Sequence, residues 1–266
     1  AGAEVPCVYA DVVRGGPGLG TIQPSQADYF QACKGGGNGD YKNIVLAPAS
    51  VQEMADFVAL GFELAFKYRM ACCILSDGAI GQMMEKVVLP EQKPRMTEEE
   101  IKANYPWATT GRKRGTQHRV ITSLDLDSVK MEAHNRHLQE KYRLVEENEV
   151  RFEEIECEDA EYVFVAYGSS ARIAQKSVQL ARAEGLKVGL LRPITLFPFP
   201  SKAIQNLIDR GTKGFLAVEL SCGQMIEDVK LAVNGRVKAE HFGRVGGIIH
   251  TPEEVLEAMK KQIIGE

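Results

Sequence analysis

From residue 159 onward the chain alternates short apolar runs with amphipathic stretches, and few folds accept that rhythm. Runs at 162–166, 187–191, 214–218 and 239–242 read as strands, and the stretches at 170–184, 202–210, 222–233 and 252–264 as helices. Strands separated by helices of this length imply a parallel sheet covered on both faces. Residues 159–266 are therefore expected to form a complete α/β domain.

The front of the chain reads differently. An apolar, β-branched run at 5–12 suggests a buried parallel strand, and it runs straight into Arg14-Gly15-Gly16-Pro17-Gly18-Leu19-Gly20. A long polar loop then continues to Lys42 through Gly35-Gly36-Gly37-Asn38-Gly39. Loops of that length in a compact domain are usually functional or held by a partner. A strand at 44–47, a helix at 50–68 and a strand at 71–76 follow. Ser50 with Glu53 three residues on is a capping-box pattern, and Met54, Phe57, Val58, Leu60, Gly61, Leu64 and Ala65 supply the inward face. Opening on a wholly apolar strand presumes neighbours on both sides, so further strands are expected upstream. The start Ala1-Gly2-Ala3 has no initiator Met and suggests a processed or shortened end. Between 91 and 158 charge and proline rise, the run Gly111-Arg112-Lys113-Arg114-Gly115 breaks regular structure, and a charged helix at 127–148 has only the narrow apolar stripe Val129, Ala133, Leu138, Tyr142 and Val145. That region is expected to be a linker and arm between domains.

A formal charge of −4 implies no general attraction to nucleic acid or anionic lipid. No run approaches the roughly 18–20 apolar residues of a membrane span, and the beginning lacks the layout of a signal peptide. The six cysteines form no C-x-x-C pair, which suits reduced thiols in a cytoplasm and places any iron–sulfur cluster on another chain. The five histidines lack metalloenzyme spacing, and His134 and His137 are expected to face solvent on the charged arm.

The glycine loop invites a phosphate-binding reading, but residues 16–21 fail the dinucleotide fingerprint at its last position, and no Gly-Lys-Ser/Thr ends a Walker loop. A tight irregular turn is the alternative. Arg14 matters more, because ligands gather beyond the carboxyl ends of parallel strands. A guanidinium there can take a carboxylate bidentately, or be held in a structural ion pair. Asp77 and Gly78 stand at another strand end, where an Asx turn accounts for them. Gly168-Ser169-Ser170 reads either as an anion cradle or as an N-cap. Arg192 is expected to shape the contact between domains. Glu219, with no visible partner, is expected to be buried and hydrogen-bonded in a structural role.

Residues 11–21 (Asp-Val-Val-Arg-Gly-Gly-Pro-Gly-Leu-Gly-Thr), with Gln23-Pro24-Ser25-Gln26 and Asp28-Tyr29-Phe30, resemble the Arg-Gly-Gly-Pro segment of the alpha subunits of 2-oxoacid:ferredoxin oxidoreductases. The resemblance continues through Val45-Leu46-Ala47-Pro48, Leu75-Ser76-Asp77-Gly78, residues 166–172, residues 189–200, Val218-Glu219-Leu220-Ser221 and Gly223-Gln224-Met225. The loops at 18–24 and 35–41 look most like the branched-chain type acting on 2-oxoisovalerate, with the 2-oxoglutarate type as the alternative.

The resemblance implies an α/β chain in which a partial pyrimidine-type thiamine-diphosphate-binding domain (1–90) and an arm (91–158) precede a transketolase C-terminal-like domain (159–266). It implies oxidative decarboxylation of a 2-oxoacid to an acyl-CoA, with thiamine diphosphate and Mg2+ shared with a beta subunit. Iron–sulfur clusters would lie on partner subunits, including gamma and ferredoxin-like delta chains, and ferredoxin would take the electrons. Arg14 falls on the family's arginine for the substrate carboxylate. Gly15 and Gly16 would let the backbone pass close to substrate or thiamine. The family's upstream substrate loop and pyrimidine-bonding glutamate are not in this sequence, so the chain is expected to need other segments for activity. Non-oxidative transketolase-type catalysis, a structural interaction module and a free-standing nucleotide binder are the competing readings.

Overall fold

In the computed structural model every residue is described except 112–114, 116, 117 and 266, so most of the basic run at 111–115 lies outside the described residues. Helix formation follows the caps. β1 (Cys7–Val13) leads through the glycine loop to a short α1 (Tyr29–Cys33), then β2 (Ile44–Leu46), α2 (Val51–Tyr68), β3 (Ala71–Asp77) and α3 (Gly78–Gln82). Ser50 Oγ accepts from the Glu53 N–H, as the capping pattern predicts. The reciprocal bond shifts one residue upstream, with Glu53 accepting from Ala49 N at 2.7 Å. Phe57, Gly61, Leu64 and Ala65 are buried, whereas Val58 faces outward.

β1 and β2 flank β3 in parallel. Among the described residues β1 pairs only with β3, and Tyr9 and Val12 are exposed along it, so the further neighbour expected beside it is not among these strands.

The middle segment holds α4 (Glu98–Asn104) with a full capping box, which the sequence reading missed, and α5 (Ser128–Asn148). α5 is more than an arm. Its second half buries Leu138, Tyr142 and Val145 in the main core, while Val129 is exposed. His134 and His137 hold the start of the chain, bonding Gly2 O at 2.9 Å and Glu4 Oε1 at 3.2 Å, rather than simply facing water.

The last part gives β4 (Phe152–Ile155), β5 (Tyr162–Val165), α6 (Gly168–Ala183), β6 (Val188–Pro193), β7 (Thr195–Phe197), α7 (Ser201–Asp209), β8 (Gly214–Glu219), α8 (Met225–Val233), β9 (Lys238–Gly243) and α9 (Pro252–Met259). The second sheet runs β4-β6-β5-β8-β9, parallel except for the edge strand β4. Strand alternation decides which helices cover it. Phe164, Leu216 and Val218 face α6 and α9, whereas Val163, Val165, Phe215 and Ala217 join α7 and α8. That second face is continuous with the core of the first sheet. β7 crosses over to pair antiparallel with β2, so the first sheet closes as β1-β3-β2-β7. Neither β4 nor β7 was expected. Both are short, and β7 lies between prolines.

Candidate functional site

Arg14 follows the last residue of β1 and bridges antiparallel to Pro24, which folds residues 14–24 into a narrow turn. Gly15 N donates to Gln23 O at 2.8 Å, and Thr21 N to Gly15 O at 2.7 Å. Gly20 closes the turn at φ +50°, where a Cβ would sit 1.9 Å from Gly15 O, so only glycine fits. The Arg14 side chain folds along this loop. Its Nη1 donates to Leu19 O and, at 3.5 Å, to Thr21 O, while Nη2 reaches Gly18 O at 3.4 Å. Among the described residues no carboxylate lies within ion-pairing distance of it. Three carbonyls orient the guanidinium without neutralising it, and it remains exposed at the strand end.

The two glycines differ. Gly16 is exposed before the cis bond to Pro17. Gly15 is buried, and a Cβ on it would meet Gly246 C and Gly247 N at 3.3 Å and Thr21 Cγ2 at 2.9 Å. Its smallness serves an approach to the loop after β9. Gly247, at φ +91°, would place a Cβ 2.2 Å from Gln23 Cβ. The arginine turn therefore rests on a glycine pair that follows β9 in sequence.

The long loop is held by the second sheet. Gln26, 1% exposed, donates through Nε2 to Tyr167 O at 2.9 Å and accepts through Oε1 from Ser170 Oγ at 2.8 Å and Leu220 N at 3.0 Å. Its own N–H donates to Leu220 O at 2.8 Å. Ser25 Oγ donates to Leu220 O, Gln224 bonds Phe30 N and Ala27 O, and Tyr29 donates to Asp228. Tyr167 and Leu220 stand at the carboxyl ends of β5 and β8, where a sheet of this kind usually receives a ligand.

The other candidates are accounted for by the same contacts. The cradle at Gly168-Ser169-Ser170 is filled from within: Asp77 Oδ2 accepts from Ser169 N at 2.9 Å, while Asp77 Oδ1 caps α3 through Ala79 N and Ile80 N. No serine side chain caps α6. Arg192 ties the parts together, reaching Glu53 at 2.6 Å and Glu153 at 3.3 Å. Glu219, fully buried, accepts from Ser221 Oγ and from the N–H groups of Gln224, Met225 and Ile226, so it caps the start of α8.

Of the six thiols, Cys33, Cys72, Cys73 and Cys157 are buried, and burial raises Cys72 and Cys73 to about 12. Among the described residues no group of three or more His, Cys, Asp or Glu could hold a metal ion, and no helix is long and apolar enough to cross a membrane. A cleft of about 920 Å³ beside α2 is lined by Phe66, Tyr105, Trp107 and Arg69, and contains none of the expected site residues. Arg14 stands out in the sequence as a candidate, whereas Gln26 and Gly246-Gly247 do not. A Gly-Gly pair marks close backbone approach and was the available signal. Nothing around Gln26 separated it from an ordinary loop amide.

A family described as "Pyruvate flavodoxin/ferredoxin oxidoreductase, thiamine diP-bdg" matches residues 1–156, and "Pyruvate:ferredoxin oxidoreductase core domain II" matches residues 160–255. Ketoisovalerate oxidoreductase subunit VorB of Methanothermobacter marburgensis is 51% identical over 266 residues, covering 100% of this chain and 73% of that protein. 2-oxoglutarate synthase subunit KorA of Methanocaldococcus jannaschii is 34% identical, covering 96% of this chain and 74% of its own. The fold is also that of the 2-oxoglutarate:ferredoxin oxidoreductase from Magnetococcus marinus, solved with 2-oxoglutarate, coenzyme A and succinyl-CoA bound. That match has a TM-score of 0.78 at 24% identity over 97% of this chain and 49% of the solved one. With both family matches in chain order and half its residues shared with a ketoisovalerate oxidoreductase subunit, this chain belongs to the 2-oxoacid:ferredoxin oxidoreductases, as an alpha-type enzyme subunit.

Proposed function

We propose that this chain supplies Arg14 to the active site of a 2-oxoacid:ferredoxin oxidoreductase that converts 2-oxoisovalerate, coenzyme A and oxidised ferredoxin to the acyl-CoA, carbon dioxide and reduced ferredoxin. The observation that carries this reading is an exposed, un-neutralised guanidinium fixed by three backbone carbonyls at the carboxyl end of a parallel strand. Such a group binds a carboxylate through two parallel hydrogen bonds and sets the direction of the rest of the molecule. Positioning of that kind is a large part of catalysis.

Thiamine diphosphate, when bound, supplies the carbanion chemistry that releases carbon dioxide from a 2-oxoacid. The residues present suit part of that cofactor: Tyr9, exposed on β1, offers an aromatic ring that a heteroaromatic ring can pack against, while Val12 lies on the opposite face of the strand. In this reading Gly16 lets the backbone run close to the substrate, while Gly15 keeps the turn seated. A beta subunit holds the diphosphate and Mg2+, gamma and ferredoxin-like delta subunits carry the iron–sulfur clusters, and the assembly works in the cytoplasm. The division into residues 1–90, 91–158 and 159–266 belongs to the same proposal. The 34% identity to a 2-oxoglutarate synthase subunit keeps 2-oxoglutarate as the second reading.

The test is Arg14→Ala and Arg14→Lys in the assembled complex. Losing a charge-assisted pair of about 1.5–3 kcal/mol lowers kcat/KM by roughly 10- to 150-fold, mainly through KM, with lysine recovering part of it. An unchanged KM for the 2-oxoacid in Arg14→Ala defeats the assignment and favours a purely structural subunit.

A further inference from the structure

The turn that fixes Arg14 also fixes two aliphatic side chains beside it. The Leu19 carbonyl accepts from the guanidinium, and Ile22 follows Thr21, whose carbonyl does the same. A side chain's Cβ lies about 3 Å from its own carbonyl oxygen, by ordinary bond lengths. The Leu19 side chain therefore begins close to the guanidinium, and Ile22 is the next residue after the second acceptor, Thr21. Leu19 is 91% exposed and Ile22 79%, so neither is spent on this chain's core. The turn itself cannot slide, because Gly20 and Gly247 leave no room for it to do so.

Charge sharpens the point. Residues 15–33 contain no lysine or arginine, and Lys34 is paired with Asp228. A 2-oxoacid whose carboxylate sits on Arg14 has its side chain starting two bonds away, against aliphatic atoms with no second cation on the loop. A branched hydrocarbon is favoured there, and a second carboxylate would be desolvated without a partner.

We propose that Leu19 and Ile22 form the wall that selects a branched aliphatic 2-oxoacid, a role that rests on Arg14 binding the substrate carboxylate. A hydrophobic contact of one or two methyl groups discriminates by roughly 10- to 200-fold. In the assembled complex, kcat/KM for 2-oxoisovalerate, pyruvate and 2-oxoglutarate is measured for Leu19→Ala, Ile22→Ala and Leu19→Lys. Dissociation constants for the three acids are measured calorimetrically on complex freed of thiamine diphosphate, so that no decarboxylation accompanies binding.

Leu19→Ala is expected to cut the preference for 2-oxoisovalerate over pyruvate about tenfold, in both kcat/KM and the dissociation constants. Leu19→Lys is expected to improve 2-oxoglutarate relative to 2-oxoisovalerate. Arg14→Ala serves as the control and should depress all three acids together. Preferences unchanged in both alanine variants, with Arg14→Ala still depressing all three acids, overturn the wall and leave the arginine's role intact. Weakened subunit assembly with preferences intact also overturns it, since the side chains would then serve a subunit contact. An Arg14→Ala variant indistinguishable from wild type removes the underlying reading itself.

Discussion

Replacing Gln26 by leucine tests whether the long glycine loop is fastened by one amide. Leucine is apolar and slightly larger than glutamine, so the change removes polar bonds without opening a large cavity. It leaves Tyr167 O, Ser170 Oγ and Leu220 N without their partner in a site that is 1% exposed. A buried group left unsatisfied costs about 1–3 kcal/mol. Ser170 Oγ can rotate to another acceptor, so roughly two full penalties and a fraction remain, or about 3–5 kcal/mol. For a chain of this size that corresponds to a fall in Tm of roughly 6–15 °C. Gln26→Glu should be no milder, because it keeps the acceptor but turns a carboxylate oxygen toward Tyr167 O. Gly168 shows how close the second acid lies, since a Cβ there would be 2.9 Å from Gln26 Nε2 and 2.8 Å from Asp77 Oδ2. The assay is thermal and urea unfolding of the chain with limited proteolysis of residues 14–42, which should become cleavable before global unfolding. A Gln26→Leu protein within about 0.5 kcal/mol of wild type, the range of ordinary surface substitutions, would refute the idea that this residue is the fastening.

Gly247→Ala should displace the arginine turn, because its Cβ would meet Gln23 Cβ at 2.2 Å; in the assembled complex KM for the 2-oxoacid should rise several-fold, and an unchanged KM would separate the two loops functionally. Glu219→Ala strips the start of α8 of an acceptor shared by four donors and should cost about 2–4 kcal/mol in urea unfolding. Catalytic loss beyond that expected from the stability loss would contradict its capping role. His250 is 2% exposed, neither ring nitrogen has a hydrogen-bond partner among the described residues, and burial lowers its pKa to about 4. A folded-state pKa below the unfolded value means stability is present above about 6.5 and is lost as pH falls toward 4, by at most about 3 kcal/mol. His250→Phe should flatten that part of the acid limb in a Tm-versus-pH series, and parallel curves would rule the effect out.

The second sheet was readable because its central parallel strands β5, β6 and β8 are short apolar runs between amphipathic helices, so burial on both faces leaves one arrangement. β4 and β7 were not readable for the opposite reason. Phe152-Glu153-Glu154-Ile155 mixes charge into an edge strand, and Thr195-Leu196-Phe197 takes its place from a partner strand about 150 residues away in sequence. Local pattern carries no record of such a pairing. At the site, Arg14 could be read from its position after a strand, but its surroundings could not. Its oxygen ligands are backbone carbonyls, which every residue possesses, so no side-chain pattern announces them. Val58 and Val129 show the complementary error. Each matched an inward helical stripe, and each is exposed.

These contacts decide which strand ends are closed and which stay open. Both sheets present carboxyl strand ends of the kind that bind small molecules. At β5 and β8 of the second sheet the ends are closed by Gln26, Ser25 and Tyr29, and the N-terminus of α6, a natural anion site, already holds the carboxylate of Asp77. At β1 the chain does the reverse, holding a cation in place with neutral carbonyls and leaving it exposed. The second sheet acts as a clamp whose strand ends are used on the loop. That same clamp, through Gln26 on one side and Gly246-Gly247 on the other, holds the arginine turn from both flanks. A loop fastened this way can keep a guanidinium pointed in one direction before any substrate arrives, which lowers the ordering cost of binding a small anion.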